Sequence, residues 1–186
     1  GMDVTQKYTR ALEARRIAHV LVGGRSFHAR EEVLALRNAL TAVEWPDDEL
    51  SVYATLRGPL FALPDDALLT FRAAKKSLHP LMPVDPATLP ANAHDVAAGL
   101  AVLRVLHHGR NRVPIADTIA QLLEATRAHA GVAFWNAGDQ ALANLAQLTD
   151  LARRFEASGG RSFRAFVERL QADADGGMAP EAPIVE

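Results

Sequence analysis

His19-Val20-Leu21-Val22-Gly23-Gly24-Arg25-Ser26-Phe27-His28-Ala29-Arg30-Glu31-Glu32-Val33 is the stretch from which the fold is read. An apolar strand, His19 to Val22, meets a glycine pair and then a polar, charged and aromatic cluster that opens a long amphipathic helix. Upstream, Thr5 to Arg16 has helical spacing, with Tyr8, Leu12 and Arg15 toward one side, and the strand at 18–22 follows it directly. A lone strand leaves backbone donors and acceptors without partners. The segment is therefore expected to be frayed, rebuilt or paired with another copy of the chain, since an unpaired apolar edge invites association.

Downstream of Ala29 the period is helical nearly throughout. Val33, Leu36, Leu40 and Val43 recur at three and four residues and share a face, while Glu31, Arg37 and Asn38 fall elsewhere. Pro46-Asp47-Asp48 ends that helix and begins another; Pro64-Asp65-Asp66 repeats the device before a helix over 67–76. Pro80, Pro83, Pro86 and Pro90 each remove a backbone donor, so 77–93 is predicted to be a loop. Four helices are expected after it. One covers 95–107; one covers 115–130 behind Pro114; one carries Ala141, Leu145, Leu148, Ala152 and Phe155 and ends at Ser158-Gly159-Gly160; the last starts at Ser162 with Phe163, Phe166, Val167 and Leu170. No internal repeat is found.

Composition narrows the function classes. The 186 residues suit one domain, or one domain with part of a neighbour, and 49% hydrophobic residues exclude a disordered tail. The absence of cysteine excludes disulfides, thiolate metal sites and cysteine nucleophiles, and suits a cytoplasmic protein. No apolar run approaches the roughly 20 residues of a membrane span, and the N-terminus has no signal-peptide pattern, so no membrane association is expected. With a net charge of −2, any contact with DNA must be local.

Several spaced motifs, in order, resemble the UvrD/Rep-type superfamily 1 DNA helicases in their AddA/RecB-like helicase-nuclease version. Gly23-Gly24, Phe27, Arg30 and Glu32-Val33 match the family's junction after a strand. Pro46-Asp47-Asp48-Glu49-Leu50, Leu56-Arg57-Gly58-Pro59-Leu60-Phe61 and Asp65-Asp66-Ala67-Leu68-Leu69 match the run that follows it. Ala143-Asn144-Leu145 through Phe166 is similar to the Asn-Leu helix, glycine turn and Ser-Phe helix that close the family's 2B subdomain. The resemblance implies a mainly α, compact multi-helix domain, 2B-like, behind a short helix-strand remnant of an α/β motor domain. Residues 1–28 would be the remnant of the RecA-like 2A motor domain, 29–172 the all-helical subdomain and 173–186, rich in Gly, Pro and Ala, a tether back to the motor.

The chain has no G-x-x-x-x-G-K-[ST] phosphate loop, no Walker B acidic pair and none of the family's threonine-histidine and Lys-Gly motif. It is expected to be an internal piece of a larger enzyme, with Gly1 before Met2 a cloning scar. No catalytic, cofactor-binding or metal-ligating residue is assigned. ATP and Mg²⁺ are implied for the parent helicase, not for this segment.

Arg25, Phe27 and Arg30 are the candidate DNA-proximal residues: two cations and one stacking surface at a strand-to-helix junction, which in the family lies beside the single-strand track. The plainer reading makes Phe27 a core plug and Arg30 a surface residue at a helix start. Gly58 to Leu63 stands where UvrD and Rep proteins carry a glycine-flanked hairpin that grips duplex phosphate. Ala62 replaces the glycine common in the helicase-nuclease pattern, so a tight turn between helices is the plainer reading. Arg104, His107, His108, Arg110 and Arg112 form the most basic local cluster, either a phosphate patch or a solvated helix end. Adjacent histidines point about 100° apart on a helix and cannot chelate one metal. Asp47-Asp48 and Asp65-Asp66, each behind a proline, are read as helix caps.

Two functions follow from the resemblance and the composition together. One is the accessory, 2B-like portion of an ATP-dependent DNA helicase or helicase-exonuclease in repair and recombination, partnered with DNA at a single-strand/duplex junction and with the remaining motor domains. The other is a helical interaction domain that contacts a partner nuclease or helicase chain without touching DNA.

Overall fold

The computed structural model describes residues 27–133 and 138–176. The strand at 18–22, the helix at 5–16, Gly23-Gly24 and Arg25 lie outside the described residues, as does 177–186 of the segment read as a tether. Among the described residues there are helices and no strand, as the periodicity requires.

A 3₁₀ turn at Phe27–Ala29 leads into α1 (Glu31–Glu44), followed by α2 (Glu49–Arg57) and α3 (Asp65–Lys75). A proline-rich connection with 3₁₀ turns at Pro86–Thr88 and Ala91–Ala93 precedes α4 (His94–Gly109) and α5 (Ile115–Ala125). After them come α6 (Ala128–Ala133), α7 (Gly138–Ala157) and α8 (Phe163–Asp175), the last continuing past Asp173.

The central element is α1. Val33, Leu36, Ala39, Leu40 and Val43 are completely buried, and α2, α4, α7 and α8 pack around it. Alanines at 35, 39 and 42 keep its sides slim enough for neighbours on more than one face. Phe163, Phe166 and Leu170 of α8, Leu145 and Leu148 of α7, and Leu100 and Leu103 of α4 fill the same core. Leu78 and Leu89 anchor the proline-rich connection to it.

The ends of the helices have identifiable causes. Asp48 caps α2 by accepting from the Ser51 amide at 3.2 Å, and Ser162 caps α8 by accepting from Ala165 at 3.3 Å. At α5, Pro114 offers no capping side chain; the Ile115 amide instead donates to Glu156 of α7 at 2.8 Å. Gly159, at φ +97°, makes the left-handed turn that ends α7.

Two expectations need correction. The helix expected over 115–130 is two helices, because Arg127 adopts φ +52° and the Thr126 hydroxyl donates back to the Leu122 carbonyl at 2.9 Å. A left-handed residue cannot propagate a right-handed helix, and neither glycine nor proline marks the break. Of the four aspartates read as caps, only Asp48 occupies the cap position. Pro64 is at that position of α3, so Asp65 lies in the first turn and takes bonds from the Tyr53 hydroxyl and Arg57 Nε, both at 2.8 Å. Asp47 pairs with His79 at 2.9 Å.

Candidate nucleic-acid interface

The junction separates its two described candidates. Phe27 is buried and meets the buried His28 ring edge-on, at 5.1 Å between centroids, so its ring belongs to the core. Arg30 occupies the cap position of α1 in extended backbone, exposed, with no side-chain bond to the helix end. Of the two, only the arginine faces solvent.

The turn at 58–63 is closed on itself. The amides of Phe61 and Ala62 both donate to the Gly58 carbonyl, at 3.2 and 2.7 Å, and Leu63 donates to Leu56 at 3.0 Å. Gly58 donates to Ala54 at 2.9 Å. Amides already bonded within the turn are not donors to a phosphate. Ala62 nevertheless holds φ +52°, the conformation that glycine adopts without cost.

The basic cluster divides between structure and surface. His107 donates from Nδ1 to the Val43 carbonyl at 2.7 Å. Arg110 donates from Nε to Glu44 at 2.8 Å and from Nη1 to the His107 carbonyl. Arg112 and His108 are exposed, and Arg104 is half-buried. Among the described residues no group of His, Asp and Glu could hold a metal ion, and no helix is long and apolar enough to cross a membrane.

The folded chain adds a feature absent from the sequence-derived candidates. Glu44, at the end of α1, is 4% exposed and accepts from Arg110 Nε at 2.8 Å and from Arg164 Nε, in the first turn of α8, at 2.9 Å. The Arg164 guanidinium also lies over the Trp45 ring, 5.8 Å from its centroid. A buried carboxylate is tolerable only when it is paired and hydrogen-bonded, and here two arginines from different helices supply both. The spacing carries a signal for it: Glu44 stands four residues after Leu40, on the apolar face of α1. Glu32, four before Leu36, shares that face and accepts from Asn144 of α7.

No protein-family model matches the chain. Over 156 residues it is 28% identical to an ATP-dependent helicase/nuclease subunit of Anoxybacillus flavithermus, covering 80% of this chain and 13% of that protein. Over 155 residues it is 30% identical to the protein of the same name from Geobacillus kaustophilus, covering 77% of this chain and 12% of that one. The chain thus spans about an eighth of the length of the curated relatives it matches. The similarity to these helicase/nuclease subunits is spread over most of the chain.

Proposed function

We propose that this chain is the accessory, 2B-like portion of an ATP-dependent DNA helicase or helicase-nuclease, working in DNA repair and recombination and not catalytic by itself. The observation that carries the reading is the similarity to helicase/nuclease proteins over about four fifths of the chain, in a segment without any nucleotide-binding loop. An all-helical body whose core is complete without a nucleotide site suits an accessory role. Its partners would be DNA at a single-strand/duplex junction and the motor domains of the same polypeptide, which would bind ATP and Mg²⁺. Of the junction residues, Arg30 and Arg25 remain the DNA-proximal candidates, and Phe27 would support them from the core.

A second reading, an interaction domain for a partner nuclease or helicase chain, draws on the outer side of α4 and α5. Val105 is 65% exposed beside Ala101, Val102, Gln121 and Ala125, a mostly apolar strip.

ATP hydrolysis by the purified chain, with Mg²⁺ and with or without DNA, tests the accessory assignment. No hydrolysis is expected, because the groups that position nucleotide and metal lie elsewhere. DNA-stimulated hydrolysis by a homogeneous preparation would contradict it. A phosphate-cradling loop upstream in the parent reading frame, with the Thr-His and Lys-Gly motif downstream, would identify the motor that this portion serves.

A further inference from the structure

We infer that Arg164, held between Glu44 and Trp45, is a contact for the phosphate backbone of a nucleic acid. The inference rests on the DNA-processing reading and adds to it a surface separate from the junction at Arg30.

The geometry carries it. Arg164 spends its Nε–H on Glu44 at 2.9 Å, and its side chain is still 57% exposed. Its two terminal amino groups have no protein partner among the described residues. They form the planar, two-pronged edge that matches the oxygens of a phosphodiester. The guanidinium is fixed from two directions, by the carboxylate along one edge and by Trp45 across one face. A side chain ordered before the ligand arrives loses less entropy on binding.

The local charge favours an anion. Two arginines meet one buried carboxylate, so the outward face presents the excess positive charge. The nearest acidic residues in sequence after Glu44 are engaged elsewhere: Asp48 caps α2 and Asp47 pairs with His79. Glu168, one turn along α8, makes no ion pair with Arg164 among the described residues. Arg161 and Arg112 are exposed without a salt bridge among the described residues, on the chain segments that deliver Arg164 and Arg110. None of these groups reads a base edge, so the contact is independent of sequence.

The test is fluorescence anisotropy of a fluorescein-labelled single strand and of its duplex with the 186-residue chain, in low salt and along a salt series. Arg164→Gln is compared with Arg153→Gln, which removes the same charge from an exposed arginine of α7 paired with Asp150 at 2.7 Å. Arg164→Gln is expected to weaken binding and to lower the slope of log affinity against log salt by about one. Arg153→Gln is expected to leave both unchanged. Arg164→Lys keeps the charge beside Glu44 but loses the two-pronged edge; weaker binding at an unchanged melting temperature is expected, and this covers the case in which the glutamine variant is unstable. Equal effects of the 164 and 153 glutamine variants would overturn the proposal, since net charge alone would then explain binding. A chain that retained an acidic peptide but neither DNA at low salt would also overturn it, and the helicase reading would still stand or fall on ATP hydrolysis. An Arg164 effect larger on one probe than on the other supports the contact and identifies which form of DNA the surface meets.

Discussion

Asn144 of α7 donates its side-chain amide to Glu32 of α1 at 2.5 Å, joining residues 112 apart in sequence through a buried hydrogen bond. Both residues are buried, and Asn144 in turn accepts from Gln140 at 3.1 Å. With the Glu44 pairs at the other end of α1, this contact ties the central helix to the C-terminal helices at both extremities. Removing Asn144 would leave a carboxylate buried without its donor. Asn144→Ala is therefore expected to cost about 1.5–3 kcal/mol in urea unfolding. Adding Glu32→Ala should cost less than the sum of the two single changes, because the stranded charge is then gone. Strict additivity would mean that the two residues do not stabilise each other.

The packing predicts an order of stabilities. Leu145→Ala and Phe166→Ala remove fully buried side chains, and should cost roughly 2–5 kcal/mol each. Asp47→Asn alters a side chain 94% exposed and paired with His79, and should cost less than about 1 kcal/mol. Thermal melts of the three variants compare them directly. Core variants that melted like the parent chain would contradict the packing.

Ala62 gives a change of the opposite sign. Its φ of +52° strains any residue with a Cβ, and glycine is what the helicase-nuclease pattern often carries there. Ala62→Gly should raise stability by up to about 1 kcal/mol, the relieved strain being partly offset by glycine's greater freedom in the unfolded chain. A lower melting temperature would mean that the turn does not hold this conformation.

Acid should act on the Tyr53–Asp65–Arg57 cluster. The Arg57 and then the Tyr53 hydrogen bonds hold the Asp65 carboxyl below its ordinary pKa. A depressed carboxyl contributes stability that is present above its ordinary pKa and is lost as pH falls through the folded value. The hydrogen bonds that cause the shift are solvent-exposed, so the effect is better read by titration than by melting. Carboxyl NMR of Asp65 should show a depressed midpoint that returns toward the ordinary value in Arg57→Gln. An unchanged midpoint in that variant would assign the shift to another cause.

Much of the helical body was legible in the sequence, because core-facing helices repeat their apolar positions every three or four residues. Asp48 and Ser162 were legible as helix starts, and Gly159 as a helix end, because each acts within a turn of its own position. The break at Thr126-Arg127 was hidden: it depends on α6 turning to pack against α7, with a non-glycine residue in a left-handed conformation to allow it. Of the candidate site, the plainer readings of Phe27 and of the 58–63 turn describe what the fold does with them. Of the Arg110–Glu44–Arg164 arrangement, the sequence signals only the place of Glu44 on the apolar face of α1; its two arginine partners are distant in sequence and meet it only when α1, α4 and α8 assemble.

The claim that this portion acts on DNA and not on nucleotide is tested most directly in the intact parent enzyme carrying Arg25→Glu with Arg30→Glu. Basal and DNA-stimulated ATP hydrolysis are measured side by side, together with DNA affinity. The account predicts that stimulation and affinity fall while basal hydrolysis is largely kept, because reversed charges at the junction repel the DNA strand and leave the nucleotide pocket intact. Unchanged stimulation and unchanged DNA affinity would contradict it and make the junction a structural connector.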